Sequence, residues 1–129
     1  MDRERLNPPG VRAPQAHFSH VARAGNTLYI AGQTAMGQDG NVVGPGDAEA
    51  QAEQCLRNIE AIVKHFGGSM EHVMKTTTFI TNLAFRPLVA SARDRFFSSP
   101  YPANTLVVIS GLASPDYLVE IEAIAVLDE

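Results

Sequence analysis

The chain has one cysteine, Cys55, and no tryptophan. A single thiol cannot close an internal disulfide or build a cysteine zinc site. It also lacks a basic run: its ten Lys and Arg are scattered, and the formal net charge is −4. Proteins that grip nucleic acid draw most of their non-specific affinity from neutralising phosphates, so no nucleic-acid partner is expected. No stretch approaches the ~20 apolar residues of a membrane helix. The start, MDRERLNPPGVRAP, is polar and proline-bearing, without the apolar segment of a secretory signal. The expectation is a cytoplasmic protein with no membrane partner. His17, His20, His65 and His72 share neither a face nor metal-ligand spacing, so no metal site is read.

What remains is enough for one domain. The 129 residues can bury a single core, and 1–129 reads as one unit with 1–14 as an irregular arm carrying Pro8, Pro9 and Pro14. HFSHVARAG predicts a strand, with Phe18, His20 and Ala22 alternating against Ser19, Val21 and Arg23. Gly25-Asn26 is a turn signal, and TLYIAGQ is a second strand, giving a hairpin. GQDGNVVGPG has glycines without phosphate-loop spacing and reads as a loop. Ala52, Cys55, Leu56, Ile59, Ile62, Val63 and Phe66 then recur at helical spacing. Asp47 suits the start of this helix and Gly67 its end. HVMKTTTFITN predicts a third strand. Phe85, Leu88, Val89, Ala92 and Phe96 mark a second helix with Pro87 in its first turn. TLVVIS and YLVEIEAIAVL are the last two strands.

The order is β-β-α-β-α-β-β, an α+β pattern with one sheet and two helices on one face. The other face should be polar if it meets water. TLVVIS is instead apolar on both alternating faces, and in VEIEAIAV only Glu120 and Glu122 interrupt the apolar pattern. A sheet apolar on both faces needs a second cover. That cover is another copy of the chain or, alternatively, the N-terminal arm and loops.

The segments FSHVARAGNTLYIAGQ, QAEQCLRNIEAIVKHFGGSMEHVMKTTTFI and YPAN…LVEIEAIAV, in this order and spacing, resemble the Rid family of reactive intermediate deaminases. The likeness runs from about Pro14 to Leu127. It implies a chorismate-mutase-like fold with one mixed sheet. It implies a homotrimer whose sheets form a central barrel, with small-molecule clefts between subunits. It also implies hydrolysis of short-lived enamines and imines, such as 2-aminoacrylate, with no metal or organic cofactor. In the deaminating members an arginine after PA holds the substrate carboxylate, and a glutamate opening EIEA places the water. Backbone groups of a GQ pair and an aromatic residue line the cleft. By resemblance the glutamate is Glu120, the pair is Gly32 and Gln33, and the aromatic residue is Phe18, where tyrosine is frequent.

The arginine position holds Asn104. Asparagine is neutral and offers no guanidinium fork. Hydrogen bonds to charged groups are worth roughly 1.5–3 kcal/mol against about 1 for neutral ones, so binding of a simple 2-imino acid weakens. Three readings stay open: a different enamine or imine substrate, a cleft that binds a metabolite without turnover, or a substitute cation such as Arg86 or Arg23. Asn104 also suits a plain turn before a strand. His20, on the expected strand face of Phe18, is a candidate general acid or base beside Glu120. Cys55, on the apolar helix face, reads as core. Ribonuclease or translation-inhibitor activity, which the family is also described with, is disfavoured by the acidic charge.

Overall fold

A computed structural model describes residues 2–128. Six strands and two α-helices run in the order β1 (Arg3–Leu6), β2 (Val21–Ala24), β3 (Thr27–Gln33), α1 (Ala48–His65), β4 (Val73–Ile80), α2 (Arg86–Arg93), β5 (Ala103–Val108) and β6 (Val119–Val126). Short 3-10 turns at Met70–His72 and Leu83–Phe85 lead into β4 and α2. The strands form one mixed sheet in the order β1-β2-β3-β6-β4-β5. Neighbours are antiparallel except β4 and β5, which are parallel. Parallel neighbours need a long crossover, and α2 supplies it.

The first helix forms where its apolar spacing put it. The Asp47 carboxylate caps it by accepting from the Ala50 N–H at 3.0 Å. Leu56, Ile59, Ile62 and Val63 are fully buried, and each such burial stabilises by roughly 1.5–3 kcal/mol relative to exposure. Past the last turn, Gly67 adopts φ +83°, which an L side chain resists. The N–H groups of Gly67 and Gly68 return to the carbonyls of Lys64 and Val63, closing the helix with two bonds. Val89 and Ala92 of α2 share one core with α1 and with Ile80, Ile121 and Ala125 of the sheet.

Two expectations need correction. The stretch 1–14 is not wholly irregular, because Arg3–Leu6 pairs antiparallel with β2. RERL is charged and carries no alternation to read, yet backbone pairing at a sheet edge tolerates charged side chains. The second strand also starts later than its alternation suggested, at Val21. His20, just before it, keeps one bond to β3, its carbonyl accepting from the Ala31 N–H at 2.8 Å, while its N–H donates to Asn7 Oδ1 at 2.9 Å.

Along β6, Val119, Ile121, Ala123 and Ala125 are buried, while Glu120, Glu122, Ile124 and Val126 face the other way. Strand register puts Tyr29, Phe79 and Val107 on that same open face. Tyr29 is 51% exposed and Val107 38%. Residues 3–6 of the N-terminal arm lengthen the sheet at its edge, beside β2, while residues 11–14 wall a cavity at Glu120.

Candidate active site

The β3–β6 pairing breaks near Glu120. Ile30 faces Ala123 and Gln33 faces Ile121, so Ala31 and Gly32 together oppose Glu122. Such a bulge bends the strand and frees backbone groups from the ladder. The Glu120 side chain lies over the bulge, and a Cβ on Gly32 would sit 2.6 Å from Glu120 Oε2. Only glycine allows this approach. Burial, and then the neighbouring Glu122 carboxylate, push the Glu120 carboxyl above its ordinary range. A carboxylate so perturbed is a better proton acceptor near neutral pH than an ordinary one.

A cavity of about 520 Å³ opens beside it, lined by Phe18, His20, Gly32, Gln33, Tyr117 and Glu120 among others. Five of the residues picked from sequence thus come together. Phe18 is 53% exposed at the rim, with its ring edge-on to His20 at 6.3 Å between centroids. Both ring nitrogens of His20 are engaged. Nδ1 faces the Gln33 Nε2 amide at 3.1 Å, and Nε2 meets the Arg12 carbonyl. Gln33 Nε2 can donate to Nδ1, and Nε2–H to the Arg12 carbonyl. Both nitrogens thus face protein partners, and the acid–base role read for His20 draws no support from this arrangement. The ring instead pins the arm at Arg12 to Gln33, whose amide also donates to the Ala31 carbonyl at 3.0 Å.

Tyr117, which sequence pattern placed at the start of the last strand and not in the site, lies in the turn just before β6. It is buried, and Gln51 of α1 fixes the loop around it. Gln51 Nε2 donates to the Asp116 carbonyl at 3.0 Å, and Gln51 Oε1 accepts from the Leu118 N–H at 2.9 Å. These two bonds also set where β6, and so Glu120, begins. Cys55 is core as expected: it is fully buried, burial pushes its thiol up, and its Sγ faces the Val119 carbonyl at 3.6 Å.

Asn104 is elsewhere within the subunit. On β5 it pairs with Thr76, facing the helices, whereas Glu120 pairs with Phe79 on the open face. The two are on opposite sides of the sheet and three positions apart along β4, roughly 10 Å at ~3.3 Å per residue. Asn104 Oδ1 accepts from the hydroxyls of Thr76 at 2.8 Å and Thr78 at 3.0 Å. Its surroundings form a second cavity of about 460 Å³ with Arg86, Arg93 and Tyr101. Of the two substitute cations considered from sequence, Arg86 lies here. Arg23 does not: it donates to the Gly25 carbonyl at 2.9 Å and stacks over Phe66. Among the described residues, no helix is long and apolar enough to cross a membrane.

Residues 10–127 match the family described as endoribonuclease L-PSP. The chain belongs to this family, the Rid family. A 2-iminobutanoate/2-iminopropanoate deaminase of Dermatophagoides farinae is 32% identical over 123 residues, covering 95% of each chain. The 3-aminoacrylate deaminase RutC of Acinetobacter baylyi is 31% identical, covering 97% of this chain and 98% of its own. Among solved structures, RidA from an Antarctic Psychrobacter superposes with a TM-score of 0.89 at 30% identity, covering 96% of this chain and 99% of its own. Escherichia coli TdcF with bound serine superposes with a TM-score of 0.88 at 27% identity, covering 97% and 99%. The Rid fold is therefore the fold of this chain.

Proposed function

We propose that the chain hydrolyses a small reactive enamine or imine to a carbonyl compound and ammonia. The observation that carries this reading is the half-buried Glu120 carboxylate over the Gly32 bulge, at the wall of a cavity. The named activities of the Dermatophagoides and Acinetobacter relatives support it. In this reading Glu120 accepts a proton from water as the oxygen attacks the C=N carbon. The bond to oxygen forms, the C=N π pair moves to nitrogen, and the nitrogen takes up a proton. Glu120 then returns its proton to the nitrogen, the hydroxyl proton goes to solvent in exchange for the one the nitrogen took from it, and the C=O forms as ammonia leaves with the C–N bonding pair. An enamine first takes a proton at carbon and loses one from nitrogen, giving the imine. Gln33, held by His20, and the bulge backbone shape the wall.

The substrate differs from a simple 2-imino acid, because Asn104 stands where the resemblance places an arginine. Asn104 and Glu120 lie on opposite faces of one sheet, so a small molecule touching both must lie between two copies of the chain. A homotrimer packed through the open sheet face is the assembly we propose. A ribonuclease role fits less well, since a chain of net charge −4 without a basic run offers little to a phosphate backbone.

A coupled assay tests the function. A pyridoxal-dependent dehydratase supplies 2-aminoacrylate, 2-iminobutanoate and longer imines, and keto-acid release is followed. The wild-type chain accelerates release from at least one of them, and Glu120→Ala does not. No acceleration anywhere in the series, or acceleration unchanged in Glu120→Ala, contradicts the proposal.

A further inference from the structure

A cation stands beside Asn104 that belongs to neither of the candidates read from sequence. Arg93, in the last turn of α2, sends Nη1 to the Thr76 hydroxyl at 3.0 Å. Thr76 in turn donates to Asn104 Oδ1, as does Thr78. The guanidinium lies 5.0 Å from the centroid of the Phe97 ring, which braces it. Arg93 is half-buried, yet no Asp or Glu among the described residues forms an ion pair with it. The bond to Thr76 uses one of its five N–H donors. Asn104 is exposed: the two hydroxyls fix its oxygen, and its two amide N–H donors, without a protein partner among the described residues, face the open side of the cavity. Both side chains line the same cavity, with Arg86 and Asp94, both exposed, beside them; Asp94 forms no ion pair with Arg93.

A partly desolvated guanidinium without an ion-pair partner favours an anion, and a planar carboxylate matches its fork. We propose that Arg93 and the Asn104 amide form a carboxylate subsite in this cavity, which holds the acid group of a small organic acid. Thr76 and Thr78 are positioning residues here: they turn the Asn104 oxygen inward and leave its N–H groups for the ligand. The charge that the resemblance places on β5 is in this chain carried by α2 instead. The acid group is therefore gripped from a different direction, which fits a substrate whose acid is placed differently. That last step rests on the deaminase reading; the binding claim does not.

Calorimetric titration of the full chain tests the subsite. The probes are 2-oxobutanoate, the longer diacid adipate, and 2-butanone as an uncharged control. At least one acid is expected to bind saturably and the ketone more weakly. Arg93→Met weakens the acid by about tenfold or more, and Arg93→Lys recovers part of the loss. Asn104→Asp keeps the shape and the acceptors for both threonines but places a negative charge beside Arg93, so it also weakens acid binding. Because that change is isosteric, it keeps the test usable if Arg93→Met fails to fold. A strut that merely joins α2 to β4 would lower the melting temperature in Arg93→Met and leave acid affinity in Asn104→Asp within twofold of wild type, which overturns the proposal. Absence of saturable binding by either acid overturns it too. Glu120→Gln separates the two claims, because it removes turnover and spares acid binding. A chain that binds acids through Arg93 and accelerates no imine hydrolysis refutes the deaminase reading and leaves the subsite standing.

Discussion

Gly32→Ala puts a methyl group where the Glu120 carboxylate now lies. The carboxylate is the movable partner, so it swings away while the fold survives. Misplacing a reacting group by about 1 Å can cost about a hundredfold in rate. Steady-state kinetics on any imine the chain hydrolyses should show a fall of that order in kcat with an unchanged melting temperature. Glu120 itself carries a pH signature. Burial raises its carboxyl pKa in the folded chain, so folding binds protons in the window just above the unfolded value of about 4.3. Stability from this group is greatest below that window and is lost as pH rises through it. Glu120→Gln should therefore melt higher than wild type at pH 7 and lose that advantage near pH 4, as thermal scans at the two pH values would show. A lower melting point at pH 7 would mean that the carboxylate is held by favourable partners. At this scale Glu120 and Gly32 were legible, because the EIEA alternation and the GQ pair stand in the chain. The role of His20 was not: its ring is fixed by Arg12 and Gln33, eight and thirteen residues away. Arg93 was overlooked because a charge one position beyond an apolar helix stripe reads as solvent-facing, whereas Thr76 and Phe97 hold it down.

At the scale of elements, α1 does more than cover the sheet. Its Gln51 ties the loop at Asp116 to Leu118, and so the start of β6, to the helix. Gln51→Leu keeps the volume and strips these bonds, leaving the Leu118 N–H and the Asp116 carbonyl without their partner. The expected cost is about 2 kcal/mol, or roughly 8 °C in melting temperature. Activity should fall with it, because Tyr117 and Glu120 lose their register. A melting point within a degree of wild type would show that the loop holds itself. The helices were legible from spacing, and Asp47 and Gly67 do cap and close α1. β1 was hidden because RERL shows no alternation: it pairs with β2 in the ladder, and only Leu6 of its side chains packs against the core. The side of the sheet that Asn104 faces was hidden as well. Alternation tells which residues share a face, but not which face the helices take. The register of β5 on β4 decides that.

For the whole molecule, the open face mixes Tyr29, Ile124, Val107 and Val126 with Lys75, Thr77, Thr105 and Glu122, and a single subunit leaves it uncovered. Tyr29, Val107 and Val126 remain exposed on it. Light scattering should give the mass of three chains, and Val107→Asp should shift it toward the monomer. A monomeric wild type would remove the assembly and, with it, any site between copies. The central claim is that the water-handling carboxylate and the acid-group anchor of one site come from different copies. Mixed oligomers test it most directly. Glu120→Gln and Arg93→Met chains, each inactive alone at low substrate, are unfolded together in equal amounts, refolded and assayed. Random assembly gives about a quarter of the sites an intact carboxylate from one copy and an intact arginine from the next. Recovery of about a quarter of wild-type activity is the expected result. Mixtures as inactive as their parents, beside an active wild type refolded the same way, would contradict it.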